Sequence, residues 1–289
     1  MFSKKLVGAI AVLAMSGAVP AAAQIPELDP EPVPLPEFCN GQRADVVGTD
    51  AAEVLVADPD GSVIVAKGGN DTVLGLGAND TICAGDGRDL IRPGNGNDTV
   101  FGGKHGDRIL ELGTTGNETI ETGDGLNLVI SGEGDDVVNG GVHRDVIRAG
   151  RDRDRVHAGQ GNDRVDGGPG DDFFLHGDID DDVVDGGEGQ DDVFGGTGLD
   201  ILRGGTGRDL VHGGNDRDRM AGGEDNDSLF GNDGNDDLFG GPGDDPDLEG
   251  GEGNDRLDGG PDDDPSCLGA ETVDEAPADV DLIINCEPL

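Results

Sequence analysis

The sequence predicts an all-β fold, a parallel β-roll (β-solenoid) of about 11 coils built from nonapeptide repeats, with small capping segments. Three observations predict it. A nine-residue pattern recurs along most of the chain, and each period contains one apolar residue that is usually β-branched. The 289 residues include 55 Gly but only 8 Phe, with no Trp and no Tyr, so a large aromatic core is excluded.

The repeat is visible when segments 102–110 (GGKHGDRIL), 195–203 (GGTGLDILR) and 204–212 (GGTGRDLVH) are aligned. They share the pattern GGxGxDxUx, in which U is apolar. Residues 66–267 contain 22 such units. Two units would form one coil of 18 residues, with one strand in each of two facing sheets.

A few departures interrupt the period. We place two extra residues within 111–121, one within 176–185, and one at Pro246. The sixth position is Asp in 20 of the 22 units, and Glu118 and Asn127 are the exceptions.

Each unit divides into a turn and a strand. Its first six residues are rich in Gly, Asn and Asp, which tolerate the left-handed backbone of tight turns. Its last three residues, such as Thr72, Val73 and Leu74, predict a short strand with the central side chain directed inward. The seventh to ninth positions are therefore the predicted strands.

The net negative charge of the chain favours small cations as binding partners. The chain has 63 acidic and 19 basic residues and a formal charge of −44, which excludes nucleic acid and anionic membrane surfaces. Aspartates 18 residues apart would stack about 4.8 Å from one another in a parallel coil. Such a column requires positive charge between its members. Calcium accepts six to eight oxygen ligands in flexible geometry, whereas magnesium requires a smaller and stricter shell.

These repeats resemble the RTX, or haemolysin-type, calcium-binding repeat family, and the resemblance covers about 200 of the 289 residues. It implies a β-roll with calcium ions between successive turns, held by the sixth-position carboxylates and by backbone carbonyls of the glycine-rich turns. Asp71, Asp89 and Asp107 would line one edge, and Asp80 and Asp98 the other. Of the order of ten to twenty Ca²⁺ ions would bind, and the calcium-free chain would be largely disordered.

The predicted carboxylate ligands are Asp71, Asp80, Asp89, Asp98, Asp107, Asp136, Asp145, Asp154, Asp163, Asp172, Asp182, Asp191, Asp200, Asp209, Asp218, Asp227, Asp236, Asp245 and Asp255. The predicted carbonyl ligands are Gly94, Gly96, Gly132, Gly134, Gly168, Gly170, Gly196, Gly198, Gly205 and Gly207.

The N-terminal sequence predicts export, and the remaining segments flank the repeats. Residues 1–23 have a basic start, a short apolar stretch and an Ala-Ala-Ala end, which is typical of a signal peptide, so we expect a secreted, extracellular protein. A Pro-rich linker (24–38) and an N-terminal cap (39–65) would precede the roll (66–267), and a C-terminal cap (268–289) would follow it.

Four cysteines predict disulfides in an exported chain, and three pairings are possible. Proximity along the chain favours Cys39 with Cys83 and Cys267 with Cys286.

No motif predicts catalysis. A GxSxG motif is absent, and the five histidines fall at repeat positions 4, 4, 9, 1 and 9, so we expect them to share no row. We therefore expect a non-enzymatic calcium-binding protein. An adhesin or a calcium-stiffened spacer is the alternative, with a protein or cell-surface partner that the sequence does not identify. Ice binding is a weaker candidate, because no regular outward row of Thr is present.

Overall fold

In a computed structural model, the described residues are 37–262, 264, 267–268, 282–284 and 286. They form 28 strands and no helix, so no helix among them could cross a membrane. Strands β1 (Phe38–Cys39) and β2 (Gln42–Arg43) form an antiparallel pair, and all the others belong to two parallel 13-stranded sheets.

The odd-numbered strands form the first sheet. They are β3 (Val46–Val47), β5 (Val63–Val65), β7 (Thr81–Asp86), β9 (Thr99–Lys104), β11 (Thr119–Asp124), β13 (Val137–Val142), β15 (Arg155–Gln160), β17 (Phe174–Ile179), β19 (Asp192–Thr197), β21 (Leu210–Asn215), β23 (Ser228–Asp233), β25 (Asp247–Glu252) and β27 (Cys267–Leu268).

The even-numbered strands form the second sheet. They are β4 (Val54–Val56), β6 (Thr72–Leu74), β8 (Leu90–Arg92), β10 (Arg108–Leu110), β12 (Leu128–Glu133), β14 (Val146–Arg151), β16 (Arg164–Pro169), β18 (Val183–Glu188), β20 (Ile201–Thr206), β22 (Arg219–Glu224), β24 (Asp237–Phe239), β26 (Arg256–Asp258) and β28 (Leu282–Ile284).

Successive strands alternate between the sheets, and each strand pairs with the strand one coil away. The common register is 18 residues, as in the pairing of Ile147 with Val165. The chain is therefore an all-β parallel roll, as predicted. It has about 12 turns, slightly more than the predicted number, because β3, β4 and β5 already stack on the coils that follow them.

Most strands are longer than the three residues that the repeat pattern predicts. Strand β14 contains the last three residues of one unit and the first three of the next, and Gly150 in its second half pairs with Gly132. Only residues 152–154 remain as the turn before β15. Gly-rich backbone continues the strand because it pairs with the equivalent backbone of an adjacent coil.

The core is one column of side chains between the two sheets. The eighth position of each unit supplies it, and residues such as Ile82, Val100, Ile147 and Leu202 are completely or almost completely buried. Short side chains at the first position, such as Ala149, are buried beside them. The core is thin because each coil contributes only these few inward side chains.

One insertion lies elsewhere than predicted. Arg155 pairs with Phe174, a register of 19, so the extra residue is the exposed Phe173 and not a residue within 176–185. Leu175 therefore fills the core position, whereas the repeat pattern assigned that position to Phe174.

The other insertions are confirmed. The register is 20 between Thr99 and Thr119, across the two extra residues, and 19 between Ser228 and Asp247, across Pro246.

The predicted disulfide between Cys39 and Cys83 is present and joins the β1–β2 hairpin to β7. Cys286 is also disulfide-bonded. The predicted pairing of Cys286 with Cys267 involves a side chain outside the described residues. The predicted signal peptide, nearly all of the predicted linker and most of the predicted C-terminal cap also lie outside them.

Candidate functional site

The sixth-position aspartates form one row along each edge of the roll. In each row, Oδ1 of an aspartate accepts a hydrogen bond from the backbone N–H of the equivalent residue one coil earlier. The N–H of Asp71 donates to Oδ1 of Asp89 over 2.7 Å. The N–H of Asp80 donates to Oδ1 of Asp98 over the same distance. The assignment of these residues to opposite edges therefore agrees with the structure. We call the two rows the aspartate ladders.

In 18 ladder aspartates, from Asp71 to Asp245, the second carboxylate oxygen is buried and has no hydrogen-bond partner. The residues are at most 2 % exposed. A buried acceptor without a partner costs free energy, and a buried carboxylate costs more unless a positive group compensates it. The Oδ2 atoms concerned belong to Asp71, Asp80, Asp89, Asp98, Asp107, Asp136, Asp145, Asp154, Asp163, Asp172, Asp182, Asp191, Asp200, Asp209, Asp218, Asp227, Asp236 and Asp245. Asp255, also predicted as a ligand, is buried at the same position.

Burial raises the pKa of these carboxyl groups. The pKa of Asp200 rises to about 6, and those of Asp182 and Asp218 rise to about 8. Burial is the main cause, the accepted backbone hydrogen bond opposes it, and the negative charge of ladder neighbours adds to it. The charged ladder is therefore unfavourable without a cation.

The first glycine of a unit lies against the second carboxylate oxygen. A Cβ built on Gly213 would lie 2.5 Å from Oδ2 of Asp218 and 2.7 Å from the carbonyl oxygen of Gly231 in the next coil. At this coil, the carboxylate oxygen and a backbone carbonyl thus approach one point, and a larger residue would displace them.

The glycines predicted as carbonyl ligands occupy the second and fourth positions of their units. Four of the second-position members lie in strands, as Gly168 does in β16, whereas Gly94 follows the end of β8. The fourth-position members lie in the turns. Gly96 has a φ of 133°, and a Cβ there would collide with the carbonyl group of Ala78 in the preceding coil. Their role as ligands stays a prediction.

A second ladder was not predicted. At the fifth position, Asn and Asp side chains accept the backbone N–H of the equivalent residue in an adjacent coil. Asn97 N–H donates to Asn79 over 2.9 Å, and Arg153 N–H donates to Asp135 over 3.1 Å. The frequent Asn and Asp residues at this position were the available signal, and the side chains hold the turns in register.

Glu118 and Asn127 replace the ladder aspartate within one coil, Glu118 on one edge and Asn127 on the other. Glu118 contacts Asp136, and burial together with this contact raises the pKa of Glu118 to about 10. Glu111, nearby at the insertion, accepts a hydrogen bond from Gly94 N–H and one from the Thr114 hydroxyl. Oε1 of Glu118 is buried without a hydrogen-bond partner. Asn127, on the other edge, is described below.

The histidine prediction was wrong. His157, His176 and His212 lie in one outward row with Phe194 and Phe230, and neighbouring rings have centroids 4.9 to 6.1 Å apart. Placing the insertion within 176–185 instead of at Phe173 assigned His176 to the inward first position. The shared ninth position of His157 and His212 was the available signal for the row.

Asp178 joins two of these rings. Its carboxylate lies 2.9 Å from His176 Nδ1 and 3.5 Å from His157 Nδ1. Burial alone would raise the pKa of Asp178, but the hydrogen bonds and charge of the two imidazoles lower it below the ordinary value.

The donor set fits a hard cation. Among the described residues, no three His, Cys, Asp or Glu side chains converge on one point as a ready metal cluster. The donors are arranged as rows of carboxylate oxygens beside backbone carbonyls, and oxygen ligands of this kind suit calcium.

Comparison with known proteins identifies the same repeat. The family model described as the RTX calcium-binding nonapeptide repeat matches in eight segments that run from residue 57 to residue 264. Comparison with individual curated proteins finds no match. The matched segments span most of the chain and coincide with the aspartate ladders, so the protein belongs to the RTX calcium-binding repeat family.

Proposed function

We propose that the protein binds calcium outside the cell, that of the order of ten to twenty ions are held along the two aspartate ladders, and that calcium drives folding of the roll. The observation that carries the proposal is the set of buried, unpartnered Oδ2 atoms. The ladder aspartates would supply carboxylate oxygens, and the glycine-rich turns would supply carbonyl oxygens. The bound calcium would neutralise the rows of like charge.

The calcium dependence of folding is supported by the charge and the core. The ladder aspartates are stacked one coil apart on each edge, and the chain carries a formal charge of −44. The core opposes this repulsion with a single column of apolar side chains. Where a fold cannot form without its metal, the binding free energy becomes part of the folding free energy.

The extracellular location is supported by the N-terminal sequence and by the Cys39–Cys83 disulfide. Disulfides persist in oxidising compartments and are rare in the cytosol. Exported calcium modules typically have dissociation constants of about 10⁻⁴–10⁻³ M, so such a roll would fold after export. Because we assign the buried carboxylates to calcium binding and not to catalysis, we propose a non-enzymatic role for the protein.

Circular dichroism of the chain lacking residues 1–23 tests this. The protein is prepared in chelator and titrated with CaCl₂, with MgCl₂ as the control. We expect a cooperative gain of β signal at sub-millimolar to millimolar calcium and little response to magnesium. A spectrum that does not respond to calcium would overturn the proposal.

A further inference from the structure

The inference concerns Asn127, the amide that replaces an aspartate in one ladder. Its Oδ1 accepts a hydrogen bond from Asp107 N–H over 2.8 Å, and its own N–H donates to Oδ1 of Asp145 over 2.7 Å. The stacking of the backbone is therefore the same as at the aspartate positions. Because Asp107 N–H requires an acceptor, these contacts also fix which side-chain atom of Asn127 is oxygen.

The second side-chain atom differs in chemistry. At an aspartate this atom is an unpartnered acceptor, whereas Asn127 presents the donor Nδ2, which donates to the carbonyl oxygen of Gly125 over 3.1 Å. Gly125 belongs to the same turn. The substitution thus removes one carboxylate oxygen and engages one carbonyl oxygen, and a divalent cation would meet an N–H group in place of an oxygen.

Arginine and lysine side chains lie near Asn127, together with carboxylates. A groove of about 760 Å³ opens beside it, and the charged residues of its lining are Asp89, Asp107, Asp124, Arg88, Arg108 and Lys104. One of these cations, Lys104, pairs with Asp86 at 3.0 Å. The three positive side chains offset the three carboxylates of this groove, so a divalent cation is attracted less strongly here than beside carboxylates alone.

We infer that the turn of Asn127 binds no calcium and divides the ladder on its edge into two separate rows. The first row contains Asp71, Asp89 and Asp107, and the second begins at Asp145. The inference rests on the proposed calcium binding of the other turns. The hydrogen bond between Asn127 and Gly125 satisfies this turn without an ion.

The test counts bound ions in the full chain without residues 1–23. Equilibrium dialysis against saturating CaCl₂, followed by elemental analysis, gives the number of Ca²⁺ per molecule for the wild type and for Asn127→Asp. We expect the variant to bind about one more ion than the wild type. The control is Asn215→Asp, which makes the same chemical change at an exposed position outside the ladders and should leave the number unchanged.

The outcomes separate this inference from the proposed function. A wild type that binds calcium, with an equal number of ions in Asn127→Asp, would overturn the inference alone. A wild type that binds no calcium would overturn the proposed function. Should Asn127→Asp not fold, anomalous diffraction from calcium-grown wild-type crystals decides. Ions at the flanking turns with none at Asn127 support the inference, and an ion at Asn127 overturns it.

Discussion

The backbone N–H of Asp182 donates to Oδ1 of Asp200 over 2.8 Å, and Oδ2 of Asp200 remains buried without a partner. One carboxyl group therefore has two roles. One oxygen fixes the spacing of adjacent coils, and the other places unbalanced negative charge inside the edge of the roll.

Asp200→Asn should preserve the first role and remove the second, because the amide oxygen can still accept the Asp182 N–H. We expect about one fewer bound Ca²⁺ and a higher calcium concentration at the folding midpoint. A site filled at 100 times its dissociation constant contributes about 2.7 kcal/mol, which sets the scale of the loss. Calcium titration followed by circular dichroism measures it. Asp233→Asn, at an exposed position, is the matched control and should match the wild type.

The raised pKa values predict how the calcium-free protein responds to pH. Carboxyl groups whose pKa rises on folding, such as Asp182 and Asp218 at about 8 and Asp200 at about 6, favour the folded state when they are protonated. Their contribution is complete below about pH 4 and is lost as the pH rises through 6 to 8. In chelator, the β signal should therefore weaken from pH 4 to pH 8. The opposite trend would contradict the burial of uncompensated carboxylates.

Substitutions of Leu175 and Phe173 test the position of the insertion. Leu175 is completely buried, and Leu175→Ala should lower the free energy of unfolding by about 2–5 kcal/mol. Phe173 is 46 % exposed and contacts Arg155, so Phe173→Ala should cost less than about 1 kcal/mol. Urea unfolding in saturating calcium measures both. Similar losses in the two variants would show that the assigned register is wrong.

The Cys39–Cys83 disulfide closes a loop with a sequence separation of 44. The chain-entropy relation gives about 4 kcal/mol of stabilisation for such a loop. A Cys39→Ser, Cys83→Ser double variant should therefore exchange amide hydrogens faster in β3 to β7, whereas exchange in β18 to β22 should be unchanged. These distant strands are the internal control, because each coil packs only on its neighbours. A uniform increase in exchange along the roll would contradict this local effect.

The regular parts of the fold follow from the sequence alone. Asp71, Asp89 and Asp107 recur at 18 residues, which suffices to place them on one edge, and the β-branched residues at the eighth position form the core. Strand length could not be predicted, because the Gly- and Asn-rich part of each unit, considered by itself, favours a turn. Pairing with adjacent coils extends the strands, and this is a tertiary effect.

Insertions limited the prediction further. With Phe173 and Phe174 adjacent, either could be the inward residue, and only the register with Arg155 decides. For that reason, His176 was not placed in one row with His157 and His212. The role of Asn127 was likewise hidden, because its hydrogen bond to Gly125 depends on the turn geometry.

Because successive strands alternate between two sheets, an odd or even number of preceding units decides which sheet a strand joins. Removing one nine-residue unit would transfer every later strand to the opposite sheet, whereas removing 18 residues would leave each later strand in its own sheet. The outward row that begins near Cys83 and Phe101 continues one coil at a time to His157 and beyond. A gain or loss of paired units preserves the continuity of such a row. The coil, and not the nonapeptide, is thus the smallest segment by which this protein can lengthen or shorten while each surface keeps its own residues.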